Sequence, residues 1–452
     1  MPFIPHTEEE IKDMLDTIGV DSINQLFDEI PPELVHNKLD QIPPRMSEME
    51  VTRHINKLAK QDGTPTCFAG AGAYEHHIPA AVWQVTTRGE FYTAYTPYQP
   101  EVAQGTLQVI YEYQSMMAHL TGMDVSNASL YDGSSGLAEA ILMAVRANRK
   151  SKGKNILIPK NINPVYTQVV NNIVKNQEIN IIEVDYDAET GLVDHQHLHS
   201  FADQDITAVV VPQPNYFGLY EDVHSLTDWA HQQGALVIGL VNPMSLALLS
   251  APGNWGEQGA DICCGEGQSM GVPLSSGGPY YGFLTCKEPF VRNMPGRIVG
   301  MTTDLDGKEG FVLTYQAREQ HIRRAKATSN ICTNQGLMVT ASTIYMSLLG
   351  STGLRNVAAN CIHNTDLLKL KLQGVDGLEL VFDGAGFHEF VVRLTDANAA
   401  DVIAQMAAKD YVAGVDISAQ YPELGQVLLL CVTETKTAGD LDDFVAALQD
   451  CL

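Results

Sequence analysis

Basic residues are scarce in this chain of 452 residues: Lys and Arg number 28 against 54 Asp and Glu, a formal charge of −26. Such a surface repels phosphate backbones and anionic lipid heads, and no Lys/Arg cluster with interleaved aromatics offsets it. Nucleic-acid and membrane partners are therefore not expected. Long apolar runs are missing too; none approaches the ~20 residues that span a bilayer. The opening segment Met1-Pro2-Phe3-Ile4-Pro5-His6 has neither the basic stretch nor the apolar core of a secretory signal, so a cytoplasmic location is expected. The cysteines, Cys67, Cys263, Cys264, Cys286, Cys332, Cys361, Cys431 and Cys451, are scattered without a C-x-x-C pair. That argues against zinc, iron–sulfur and disulfide frameworks and for reduced, buried thiols. No internal repeat or low-complexity tract occurs.

What is present is an ordinary globular composition, 45% hydrophobic and 18% charged, long enough for two or three domains. Residues 1–60 read as a helical arm packed on a larger body or on another subunit. Thr7 with Glu10, and Ser47 with Glu50, fit capping boxes ahead of amphipathic runs, and Gly19 fits a helix stop. Residues 61–335 read as a large α/β domain. A helix spans roughly 102–120, and strands are predicted at Asn155–Ile158, Asn180–Val184, Ala208–Val211, Ala235–Val241, Asp261–Cys264 and Tyr281–Cys286. Several are continuous β-branched or aliphatic runs, as in parallel strands buried on both faces, and their alternation with helices implies a doubly wound sheet. Residues 336–452 read as a smaller α+β domain. A helix starts near Leu337, strands are predicted at Leu378–Phe382, Glu389–Leu394 and Gln426–Thr433, and helices near 398–409 and 439–449.

Five motifs carry possible chemistry. Gly70-Ala71-Gly72 begins like a dinucleotide fingerprint, but Glu75 stands at the third glycine position and no clear strand precedes it. Gly267-Gln268-Ser269-Met270-Gly271 matches a nucleophile elbow, with Asp304 and His321 downstream as partners; Pro273 and the Ser275-Ser276-Gly277-Gly278-Pro279 run break the helix such an elbow needs. Tyr131-Asp132-Gly133-Ser134-Ser135-Gly136 opens an Ala-rich helix, which suits either a phosphate held by backbone N–H groups or a loop capped by Asp132 or Ser134. Phe91–Glu101 packs four aromatics and two prolines into a rigid, hydroxyl-rich stretch, fitting an interface or cleft better than a packed turn. Arg323-Arg324-Ala325-Lys326 is the one tight basic cluster, read as a solvated helix face or as a contact for an anion.

These segments together resemble the glycine cleavage system P-protein family, in its subunit 1 form of glycine dehydrogenase (decarboxylating). The resemblance rests on Phe68–Pro79, on Thr93–Glu101 followed by Gln104-Gly105-Thr106, on Ala128–Gly133, and on Gly265-Glu266-Gly267-Gln268-Ser269 running on to Gly277-Gly278-Pro279. The order and spacing fit from the arm to about residue 335. The family pattern has His-Pro where this chain has Asn163-Pro164.

The resemblance implies the type I fold of pyridoxal-phosphate (PLP) enzymes: a large doubly wound sheet domain with a small C-terminal α+β domain. It implies glycine catabolism by a pair of subunits, a heterodimer or a dimer of heterodimers, in which glycine loses carbon dioxide and its aminomethyl group passes to the lipoyl arm of the H-protein. It also implies that the partner subunit holds the PLP. After Gly259-Ala260-Asp261-Ile262 the partner would present its lysine, where this chain has Gln268 and Ser269, neither able to form an imine. No Asp or Glu ends the strand 235–241 before Asn242-Pro243, where an acid would face the pyridine nitrogen. Lys287 and Lys308 are the nearest later lysines, and Lys287 reads as a solvated turn residue. Cleft or interface candidates are Tyr95, Thr96, Tyr98 and Gln99, then Arg323 and Arg324. The rivals are a non-catalytic scaffold on the same fold, a serine hydrolase built on Ser269, and a binding module for an unrelated partner.

Overall fold

The computed structural model describes residues 6–35 and 41–452. The chain forms two compact units, Met1–Thr64 and Pro65–Leu452. In the first, helices α1 (Glu8–Ile18) and α2 (Glu48–Ala59) begin at Thr7 and Ser47, each with a complete capping box, and Gly19 closes α1 in a left-handed conformation. Their apolar faces cover no core of their own: Met14, Ile18, Ile55 and Leu58 are 41–59% exposed.

The second unit opens with β1 (Thr66–Cys67) and helices α3 (Ala80–Thr86), α4 (Gly89–Tyr92) and α5 (Gln104–Thr121). A seven-stranded sheet follows, made of β2 (Val125–Ser126), β3 (Asn155–Pro159), β4 (Asn180–Val184), β5 (Ile206–Gln213), β6 (Leu236–Val241), β7 (Ile262–Glu266) and β8 (Gly282–Cys286), in the order β2-β8-β7-β6-β5-β3-β4. β3 to β7 are mutually parallel; β8 runs antiparallel to β7 and β2. The six strands predicted for this region are present, none of their ends shifted by more than two residues. The two-residue β2 leaves no periodicity to read.

Helices α6 (Gly133–Ala147), α7 (Pro164–Val174), α8 (His195–His199) and α9 (Val223–Gln232) connect the strands. Both faces of the sheet are buried. Ala208 and Val210 of β5 enter one core with residues of α6 and α7, whereas Val209 and Val211 enter the other with residues of α5 and α9. Each fully buried aliphatic side chain contributes roughly 1.5–3 kcal/mol, which is why the central strands read as continuous apolar runs.

A hairpin of β9 (Ile298–Thr303) and β10 (Glu309–Thr314), absent from the sequence-based prediction, leads to the short helix α10 (Gln320–Arg323). Helix α11 (Gly336–Leu372) breaks at Gly350, whose φ of +58° only glycine adopts without cost. Before the break Val339 and Tyr345 pack in the large-sheet core; after it Leu368 and Leu372 pack in the small-domain core. The small sheet has the order β11 (Leu378–Leu380), β12 (Glu389–Leu394), β15 (Val427–Cys431), β14 (Val415–Asp416), all antiparallel, with α12 (Ala399–Ala407) and α13 (Ala438–Gln449) against it. β13 (Tyr411–Val412) pairs with β1, and Phe68 stacks on Phe444 at 3.9 Å, so residues just past 64 are tied to the small sheet rather than to the large one.

Candidate functional site

Parallel α/β sheets place binding clefts beyond the C-terminal ends of their strands. Here β5, β6 and β7 end at Gln213, Val241 and Glu266 and open on a cavity of about 80 Å³, which is also lined by Tyr74, Tyr166 and Glu389. None of the residues lining this cavity is Lys, Arg or His.

Two carboxyls dominate it. Glu266 accepts the Gly133 N–H at the start of α6 through Oε2 at 2.9 Å, and the Gln268 and Tyr281 amides through Oε1 at 3.1 and 3.3 Å. Burial pushes its pKa up to about 8. Glu389, at the start of β12, accepts the Ala71 N–H at 2.6 Å and the Tyr74 hydroxyl at 2.8 Å; burial pushes it up to about 7. Gly70 is glycine because a Cβ there would stand 2.4 Å from Glu389 Oε1. The Gly-rich segment 70–72 therefore wraps a carboxyl of its own chain. It is not a dinucleotide loop, since the strand before it has two residues and the next helix starts at Ala80. At the end of β6, the Asn242 amide donates to His388 Nε2 at 3.0 Å, and burial holds His388 well below its usual pKa, hence neutral.

Gln268 and Ser269 lie in the turn beyond β7, 1% and 3% exposed. The Gln268 side chain is a strut: it donates to the carbonyls of Tyr74 and Val272 and accepts the Tyr74 N–H. Ser269 Oγ has no hydrogen-bond partner, no helix follows it, Asp304 caps its own turn, and His321 meets Gln316 and Glu319. The elbow and its triad are not assembled. Lys287 is not a solvated turn residue either, for its Nζ donates to the Gly259 carbonyl at 2.9 Å and pairs with Asp261 at 3.3 Å. Among the described residues, His76, Cys361 and Glu434 come within metal-ligand reach of one another. The Glu434 carboxylate already accepts from His76, from the His77 amide and from Cys361, which accounts for the cluster as a hydrogen-bond knot.

The aromatic segment lies at the surface around a second cavity of about 220 Å³. Tyr95 is 78% and Tyr98 45% exposed, yet both are braced. Tyr95 Oη accepts from the Thr333 hydroxyl at 2.9 Å, and Thr96 Oγ1 meets that Thr333 hydroxyl at 3.3 Å. Tyr98 Oη accepts from Arg297 at 3.0 Å, whose guanidinium also lies 5.3 Å from the Tyr98 ring. Arg297 is 4% exposed and donates on to the Cys332 carbonyl. Gln99 is exposed, and its carbonyl accepts from Val102. Arg323 and Arg324 are exposed as well; Arg323 folds back on the Ala317 carbonyl, and Arg324 takes a φ of +54°. The tilted contact of Tyr98 with His321, with ring centroids 5.1 Å apart, brings the aromatic loop close to the start of this basic segment. Sequence reading missed Glu389, Arg297 and Thr333, and quoted Glu266 without a role. Buried charges at strand ends were the available signal for Glu266 and Glu389; Arg297 sits in a segment with no readable pattern.

The glycine cleavage system P-protein family model matches residues 1–448. A probable glycine dehydrogenase (decarboxylating) subunit 1 of Thioalkalivibrio sulfidiphilus is 59% identical over 452 residues, covering all of both chains. The crystal structure of a glycine decarboxylase (P-protein) of the glycine cleavage system in inhibitor-bound form is similar at a TM-score of 0.87, 37% identical, with both chains fully covered. A more distant structure, an enzyme with glycine covalently linked to its PLP cofactor, shares the fold at a TM-score of 0.63 and 13% identity over 86% of this chain and 98% of that one. The fold is that of type I PLP-dependent enzymes, as the sequence resemblance implied. The chain belongs to the glycine cleavage system P-protein family.

Proposed function

We propose that this chain is one subunit of glycine dehydrogenase (decarboxylating) and acts in the cytoplasm with a similar partner subunit that carries the PLP, as a heterodimer or a dimer of heterodimers. The pair decarboxylates glycine and hands the aminomethyl group to the lipoyl arm of the H-protein.

The observation that carries this reading is the chain's own cleft. PLP needs an amine for its imine, an acid against its pyridine nitrogen and donors for its phosphate. None of the residues lining the cavity is a lysine. No acid ends β6, and Asn242 just beyond it has its amide committed to His388. The Gly133 N–H at the start of α6 is already bonded to Glu266. These residues do not fit PLP.

The work left to this chain is positioning. Tyr95, Thr96, Tyr98 and Gln99 stand on a rim held by the buried Arg297 and by Thr333. They present hydroxyls and an amide at little ordering cost, which suits the wall of a neighbouring cleft and the guidance of a long flexible arm. Arg323 and Arg324 add exposed positive charge just after His321, whose ring lies against Tyr98. Glycine-dependent release of carbon dioxide, measured with lipoylated H-protein and PLP, tests the proposal. The pair is expected to be active and each subunit alone inactive; carbon dioxide release by this chain alone would overturn it.

A further inference from the structure

The fold and the cleft disagree most sharply at one residue. α6 opens on Asp132-Gly133-Ser134-Ser135-Gly136, a run of small residues at a helix start whose amides suit a phosphate. The start is pressed against the end of β7: a Cβ on Gly133 would stand 2.4 Å from the Tyr166 hydroxyl and 2.8 Å from the Glu266 nitrogen. Two carboxyls of the chain already sit on it. Glu266 Oε2 takes the Gly133 N–H at 2.9 Å, and Asp132 Oδ1 takes the Ser135 N–H at 2.7 Å. Glu266 reaches this place from the strand end, across 133 residues of sequence, and its second oxygen is fixed by two more amides. With no cationic side chain lining the cavity, those amides and the positive end of α6 supply its electrostatic partners. Asp132 alone is the ordinary cap of such a helix; Glu266 is an additional carboxyl, brought in from a strand.

We propose that the start of α6, where an anion such as a phosphate would sit, is filled by the chain's own Glu266 carboxyl, and that this residue closes the site to phosphate monoesters, including a phosphate-bearing cofactor. A tethered carboxyl competes at an effective concentration far above that of a free ligand. Its use rests on the subunit reading above: where two subunits share one fold and one cofactor, a plug in one of them sends the cofactor to the other. The site itself stands independently of that use.

The test compares the full-length wild-type chain with Glu266→Ala and Glu266→Gln, titrated with inorganic phosphate against chloride at matched ionic strength, by phosphorus NMR and by thermal shift. Glu266→Ala is expected to gain saturable phosphate binding at least tenfold tighter than wild type. Glu266→Gln keeps an amide oxygen for the Gly133 N–H and is expected to stay closed. A folded Glu266→Ala that binds phosphate no better than wild type, or a wild type that binds as well as Glu266→Ala, overturns the proposal. If Glu266→Ala does not fold, crystals of the wild type grown in phosphate decide: Glu266 on Gly133 with no phosphate at α6 supports the plug, and a phosphate in its place overturns it. Failure of the subunit reading would show in the activity assay and leave the phosphate result untouched.

Discussion

At the ends of β5, β6 and β7 the protein satisfies its polar groups from within, while the loop Phe91–Glu101 leaves its polar groups at the surface. In the cleft, Glu266 and Glu389 are bonded to backbone amides and, for Glu389, to Tyr74, with no charged partner lining the cavity. On the rim, Tyr95 and Tyr98 keep much of their surface exposed while single hydrogen bonds from Thr333 and Arg297 fix their hydroxyls. An interior that consumes its own donors and acceptors has little left for a ligand. A surface that fixes its groups without covering them is prepared for one.

Five tests would break or sharpen that contrast. The largest effect is expected for Gly133→Ala, whose Cβ meets Tyr166 and Glu266 far inside contact distance. A loss of about 3 kcal/mol or more in denaturant unfolding is expected, and an unaffected midpoint would show that α6 and β7 are not pressed together. Next is Glu389→Ala, which leaves the Ala71 N–H and the Tyr74 hydroxyl without their acceptor, at about 2–3 kcal/mol.

The third is a pH effect. Burial raises the folded pKa of Glu266 to about 8 and of Glu389 to about 7, from 4.5. The native state then keeps protons that the unfolded chain releases, so the contribution of these groups is full below about 4.5 and is lost as pH rises through about 7 to 8. The stability of wild type relative to Glu266→Gln or Glu389→Gln should fall across that window. A flat difference would mean that the two carboxyls titrate normally.

On the rim, Tyr95→Phe and Tyr98→Phe should change stability by less than about 1 kcal/mol yet lower the activity of the assembled pair severalfold, with assembly intact by gel filtration. Wild-type rates in both would move the function away from this loop. Ser269→Ala should do least of all. Its hydroxyl is buried and unpartnered, so neither activity nor stability should fall, and resistance of the wild type to a fluorophosphonate probe would confirm that the elbow is empty.

The sheet was readable because its strands bury both faces: continuous apolar runs at 156–159, 208–212 and 236–241 admit few other readings. The capping boxes at Thr7 and Ser47 were readable because they are local. What escaped is nonlocal or too short for a period. β2 has two residues, and the hairpin β9–β10 is marked mainly by Asp306-Gly307 at its turn. The pairing of Glu389 with Ala71 joins residues 318 positions apart, and that of Arg297 with Tyr98 joins residues 199 apart. The sequence showed Gln268 and Ser269 where the family resemblance places the partner's lysine. Only the structure reveals that Glu266, two residues before Gln268, takes the α6 amide.

The most direct measurement is the visible absorption spectrum of the purified chain after incubation with PLP and desalting. No imine band, with glycine decarboxylation emerging only when the partner subunit is added, is the predicted result. An imine band that borohydride traps on a lysine of this chain would contradict it.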